Sequence, residues 1–165
     1  MMTAALIAFL SCLGDGQIVL GGVSLGKTTT RQLAKRLGKP EVFVGAHANS
    51  RFVWSFKNDG SLTVDGFKSS PKREGYIIDT IHVSHWKGTI GDFCKRHKLL
   101  PAARWLRPLA CGMGQRDLAR ILSVPLSTFG DRVSDQFNFP SGNRTEFLVF
   151  WNAERKLEAV QVRLR

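Results

Sequence analysis

The sequence predicts an α+β fold in which an N-terminal helix and antiparallel strands come first, followed by a helical unit and a C-terminal β-hairpin. Three observations carry this prediction. Leu118, Ile121 and Leu122 recur at helical spacing around the small Ala119. Asn58-Asp59-Gly60 lies between two strand-like runs, 52–56 and 61–67, and is a strong hairpin signal. Near the end, Val160, Val162 and Leu164 alternate with Gln161, Arg163 and Arg165. The change from strand-rich to helix-rich patterning divides the chain into an N-terminal domain, 1–86, and a C-terminal domain, 87–165.

Composition narrows the class. The 165 residues are 43% hydrophobic, enough to bury a core, so disorder is not the default. The formal net charge of +11 makes a polyanion the first partner to consider. The three cysteines, Cys12, Cys94 and Cys111, are too few and too widely spaced for a disulfide framework, which suits a reducing cytoplasm. The apolar opening, residues 1–13, lacks a basic flank and is too short to span a bilayer, so it is expected to be a buried helix. No polybasic amphipathic helix or lipidation signal points to a membrane.

A turn is expected at Gly14-Asp15-Gly16 and a short strand at 17–20. GGVSLGKT, residues 21–28, then matches the phosphate-binding pattern G-x-x-x-x-G-K-T. In that pattern the backbone at Gly21 and Gly26 approaches phosphate oxygens, Lys27 neutralises them and Thr28 holds magnesium. The next run, 29–38, is helical, whereas 41–45 reads either as a strand or as the second helix of a helix-turn-helix. Short turns rather than crossover helices join the next strands, which opposes the parallel sheet that a nucleotide enzyme needs. Residues 68–74, KSSPKRE, form a polar basic loop, and 76–83 read as a central strand because they are almost continuously apolar.

Beyond it, His82, His85, Cys94 and His97 have side chains that bind zinc, in two close pairs, although Cys94 and His97 equally fit the buried face of a helix over 89–98. A further helix is expected over 102–110, with Pro101 at its start. Residues 115–122 form the next helix, which Pro125 terminates, and a last helix is expected to begin near Ser127 or Thr128. Pro140 to Asn143 is a turn. Strands are expected over 146–151 and 156–165, with a helix over 153–164 as the competing reading of the second.

With these residues in view, 115–134 resembles the helix-turn-helix segment of bacterial and phage transcription regulators. Gln115, Ala119, Ser123, Val124 and Phe129 occupy the positions of that motif. The resemblance covers about an eighth of the chain. It implies a DNA-reading second helix and, with the hairpins beside it, a winged-helix-like arrangement in both halves. The expected function is therefore a sequence-selective, duplex-DNA-binding transcriptional regulator of the kind carried by phages or mobile elements, cytoplasmic and without a cofactor. Ser127, Thr128, Asp131 and Arg132 are the candidate base or phosphate contacts on the outer face of the second helix. Arg116, Arg120, Lys72, Arg73 and Arg163 are candidate backbone contacts. A homodimer is compatible with this reading, and RNA polymerase or a replication complex is the competing partner. The enzyme alternatives are an ATPase or kinase using residues 21–28, or a mobile-element DNA-processing protein.

Overall fold

The computed structural model describes residues 18–45, 49–68, 75–138 and 144–164. The helix expected over 1–13 and the turn at 140–143 lie outside these residues, as do Lys72 and Arg73. β1 (Ile18–Leu20) and β2 (Val23–Ser24) make a small antiparallel ribbon. Next come α1 (Thr30–Leu37), β3 (Glu41–Val44), β4 (Asn49–Ser55), β5 (Ser61–Phe67) and β6 (Ile77–Ser84). The second half contributes α2 (Ile90–Arg96), α3 (Gln115–Leu122), a 3-10 turn (Leu126–Thr128), β7 (Ser134–Asn138), β8 (Thr145–Trp151) and β9 (Leu157–Leu164).

Seven strands form one antiparallel sheet in the order β3-β4-β5-β6-β9-β8-β7. Two meanders are therefore joined by the single long-range pair β6·β9. Alternation puts Phe52, Trp54, Leu62, Val64, Ile81, Val83, Val160 and Val162 on the face that the helices cover. Leu33, Phe93, Leu118 and Leu122 pack into the same buried cluster. The opposite face carries polar and aromatic residues, including His82, Gln161, Arg163 and Glu146.

The two halves repeat one plan. Gly26 N–H donates to Ile78 O and Ile78 N–H to Thr28 O, while Gly112 N–H donates to Leu157 O and Leu157 N–H to Met113 O. Each zip feeds a helix whose N-cap bridges the start of the meander's last strand, Thr29 to Ile77 and Gly114 to Lys156. Each helix then ends on a residue with positive φ, Gly38 at 83° and Ser123 at 54°, with a proline two positions later. If Ile77 and Lys156 are equivalent, so are Ile81 and Val160, and Val83 and Val162. Because Ile81 pairs with Val162 and Val83 with Val160, the His82–Gln161 pair lies on a local two-fold axis.

The architecture corrects the expected one. The protein is a seven-stranded antiparallel sheet with short helices, not an N-terminal winged-helix unit followed by a helical one. No helix forms over 102–110: Leu106 and Arg107 close turns back to Ala103 O, and Trp105, Leu106 and Leu109 are buried from those turns. Residues 41–44 are a strand, and 157–164 are a strand rather than a helix.

Candidate functional site

The expected recognition helix is absent, which overturns the helix-turn-helix assignment. After α3, Val124 N–H returns to Ala119 O, and Pro125 opens only one 3-10 turn, closed by Thr128 N–H to Pro125 O. Phe129 then leaves the turn with extended backbone and is buried against Phe137 and Trp151. Gln115 and Arg155 side chains donate to Gly130 O, Arg155 also donates to Arg132 O, and Asp131 lies 3.6 Å from Arg155. A short loop tied down at both ends replaces the helix that was to enter a groove.

The proposed contacts that the structure describes fall in three places. Arg116 and Arg120 are exposed on α3, with Arg120 3.6 Å from Asp117. Ser127, Thr128, Asp131 and Arg132 are exposed in the turn and the loop after it. Arg163 lies on the face of the sheet turned away from the helices, bound to the nearly buried Glu146 at 2.7 Å.

The nucleotide alternative also fails on geometry. Gly21 and Gly22 turn the β1–β2 ribbon, and the amides a phosphate would need are already used. Gly26 N–H donates to Ile78 O, and Lys27 and Thr28 N–H both donate to Ser24 O. Thr28 Oγ1 accepts Ser24 N–H at 2.8 Å. The mobile-element processing alternative gains no site either.

The four zinc-type side chains take separate roles. His82 packs edge-on to Phe150, and burial lowers its pKa. His85 pairs with Glu158 at 3.2 Å. The Cys94 thiol is buried in the core, which pushes its pKa up. His97 instead joins a clasp at the β4–β5 turn. Asp59 accepts Lys87 N–H at 2.7 Å and Arg96 Nε and Nη2 at 2.8 and 3.0 Å, and its Oδ2 lies 2.6 Å from His97 Nε2. Burial pushes the Asp59 carboxyl up, but the Arg96 guanidinium, the Lys87 amide and His97 outweigh it and hold the pKa at about 2. Among the described residues no group of three or more His, Cys, Asp or Glu side chains is arranged to hold a metal.

Two surfaces remain that composition alone does not locate. The first is a cationic shoulder. Residues 26–40 contain Lys27, Arg31, Lys35, Arg36 and Lys39 and no acid, and all five cations are exposed. Arg36 Nη1 donates to Gly21 O at 3.0 Å, and a side chain at Gly22 would meet both Arg36 and Leu100. The end of α1 thus adjoins the loop after α2, which adds Lys98. The second is an open groove of about 470 Å³ beside β3, lined by Phe43, Arg51, Asp65, Asp79 and Thr80 among others. Here Arg51 is bound twice to Asp65, at 2.7 and 2.9 Å. Sequence alone does not reveal this exposed sheet margin, because 41–45 fits a helix as well as a strand.

Among the described residues no helix is long and apolar enough to cross a membrane. No protein-family profile and no curated protein matches the chain. Solved structures do. A DUF4309 family protein from Bacillus subtilis superposes with a TM-score of 0.52 at 14% identity, over 98% of this chain and 94% of its own. A cysteine-rich secretory protein from Staphylococcus aureus gives a TM-score of 0.47 at 10% identity, over 86% of this chain and 44% of its own. An extracellular SCP-domain protein from Bacillus anthracis gives 0.44 at 7% identity, over 84% and 43%. The chain therefore spans less than half the length of the latter two. With no recognition helix present and the DUF4309 protein sharing the fold over nearly its full length, this fold replaces that of a phage-type or mobile-element DNA-binding regulator.

Proposed function

We propose that this chain is a non-catalytic module that holds a phosphate-bearing polymer along the cationic shoulder of α1, without reading sequence. One observation carries the proposal: the charge is segregated. The segment that forms α1 and its flanks has five exposed cations and no acid, whereas on the sheet's outer face Arg51 is matched by Asp65 and Arg163 by Glu146. A run of exposed cations beside Lys98 gathers phosphates and releases their counterions, which needs no groove-reading helix.

Binding of polyphosphate and of random-sequence duplex DNA, measured over a series of salt concentrations, tests it. The double substitution Lys35→Ala and Lys39→Ala is expected to weaken binding to both probes and to flatten the log–log salt slope by about 2. The single substitution Lys156→Ala, on the β8–β9 turn, is expected to leave the slope unchanged. Equal loss in the Lys156 variant, or affinity indifferent to salt, refutes the assignment.

A further inference from the structure

A cavity of about 460 Å³ lies between α2 and the segment 99–108. That volume falls within the roughly 300–1,000 Å³ of small-molecule sites. Its floor is apolar and buried, with Cys94, Leu99 and Ala102 only 1%, 7% and 1% exposed. Pro101 and Pro108 stiffen the wall that faces the helix. Backbone bonds fasten the two walls to each other, so the cavity is pre-formed. Ile90 N–H donates to Leu109 O at 2.8 Å, Gly91 N–H to Arg107 O at 3.1 Å, and Leu99 N–H returns to Cys94 O at 2.8 Å.

The charges that line this cavity are unequal. Lys95 and Arg107, both exposed, line it together with Asp92. Asp92 is committed to the cap of α2, where it accepts Thr89 Oγ1–H at 2.9 Å and Thr89 N–H at 3.4 Å. Arg107 Nε–H donates to Ala102 O at 2.7 Å, which ties the side chain to the floor and uses only one of the guanidinium's N–H donors. Two cations set against one acid leave the lining with a net positive charge above an apolar base.

We propose that this cavity binds a small amphiphilic monocarboxylate, with its apolar chain on the floor of Cys94, Leu99 and Ala102 and its carboxylate held by Arg107 and Lys95. The planar guanidinium fork matches the edge of a carboxylate, and the apolar chain displaces water from the floor. An organic cation meets repulsion from the lining, and a small hydrophilic anion leaves the floor unused. The site is separate from the cationic shoulder, because none of Lys27, Arg31, Lys35, Arg36 and Lys39 lines it.

Isothermal titration calorimetry of the full chain with octanoate, octylammonium and acetate tests the assignment. Support is saturable, one-to-one binding of octanoate alone, weakened about tenfold by Arg107→Gln and about threefold or more by Lys95→Gln. The double substitution Lys35→Ala and Lys39→Ala is expected to leave octanoate binding unchanged. Circular dichroism and melting temperature report whether each variant keeps the fold. Should Arg107→Gln lower the melting temperature, Lys95→Gln, at an exposed position, carries the test. The proposal is overturned by equal binding of octylammonium or acetate, by Lys95→Gln binding octanoate like the parent, or by no saturation up to about 5 mM. Loss of octanoate binding in the Lys35 and Lys39 variant would place the anion on α1 and also overturn it.

Discussion

Asp59 shows how a turn residue becomes a structural fastener. Its side chain is 9% exposed and holds a guanidinium, an imidazole and an amide at once. These contacts fix the β4–β5 hairpin to the last turn of α2, and Phe56 stacks on the His97 ring at 3.9 Å between centroids. Replacing Asp59 by Asn removes the charge that balances Arg96 and weakens the bonds to Arg96, Lys87 and His97, a loss of about 1–3 kcal/mol. The pH dependence stems from a folded-state pKa of about 2 against an ordinary 3.8. Stability from this carboxylate is present above the ordinary value and is lost as pH falls towards about 2. Urea unfolding of Asp59→Asn and parent is expected to differ most at neutral pH and to converge in acid. The sequence reveals the turn here but not the clasp. Asn58-Asp59-Gly60 is a local signal, whereas Arg96 and His97 reach Asp59 from nearly forty positions away, and His97 reads as easily as a metal ligand.

At the scale of elements, α1 and α3 explain why the sequence resembles a helix-turn-helix. Arg31, Leu33, Ala34, Leu37 and Pro40 recur as Arg116, Leu118, Ala119, Leu122 and Pro125, and each helix stops on a left-handed residue. A small residue after a helix and then Pro is also how a helix-turn-helix begins, so local pattern does not separate the two. The segment beyond each proline does. In the first half the chain becomes β3, and in the second it makes one 3-10 turn before Phe129 is drawn into the core. Ser123 holds φ at 54°, a conformation that costs an L residue energy and glycine little. Ser123→Gly is therefore expected to raise stability by about 0.5–1 kcal/mol, visible as a higher melting temperature. No gain would mean that another Ser123 interaction offsets the backbone relief.

For the molecule as a whole, the seam between β6 and β9 joins the halves, and their apolar residues belong to one cluster. Unfolding by urea is expected to show one transition, with tryptophan fluorescence and far-ultraviolet circular dichroism coinciding. Two separated transitions would instead mark 1–86 and 87–165 as independently melting units. Several strands are legible in the sequence: the hairpin around Asn58, the central strand over 76–83 and the last two strands all have periodicity or turn chemistry. The sheet order is not, because pairing between β6 and β9 spans most of the second half and leaves no local mark. β7 is equally hidden, because Ser134, Asp135 and Gln136 are poor strand formers. Tertiary bonds hold Asp135 in place, where it accepts Trp151 Nε1–H at 2.7 Å and Gly130 N–H at 3.3 Å.

The unlike margins of the sheet set a limit on assembly. Were both ends apolar and open, each molecule would template the next, and head-to-tail stacking would run on into fibres. With only the β3 end apolar and open among the described residues, such stacking lacks the second margin it would need, so the sheet resembles a terminus more than a repeating link.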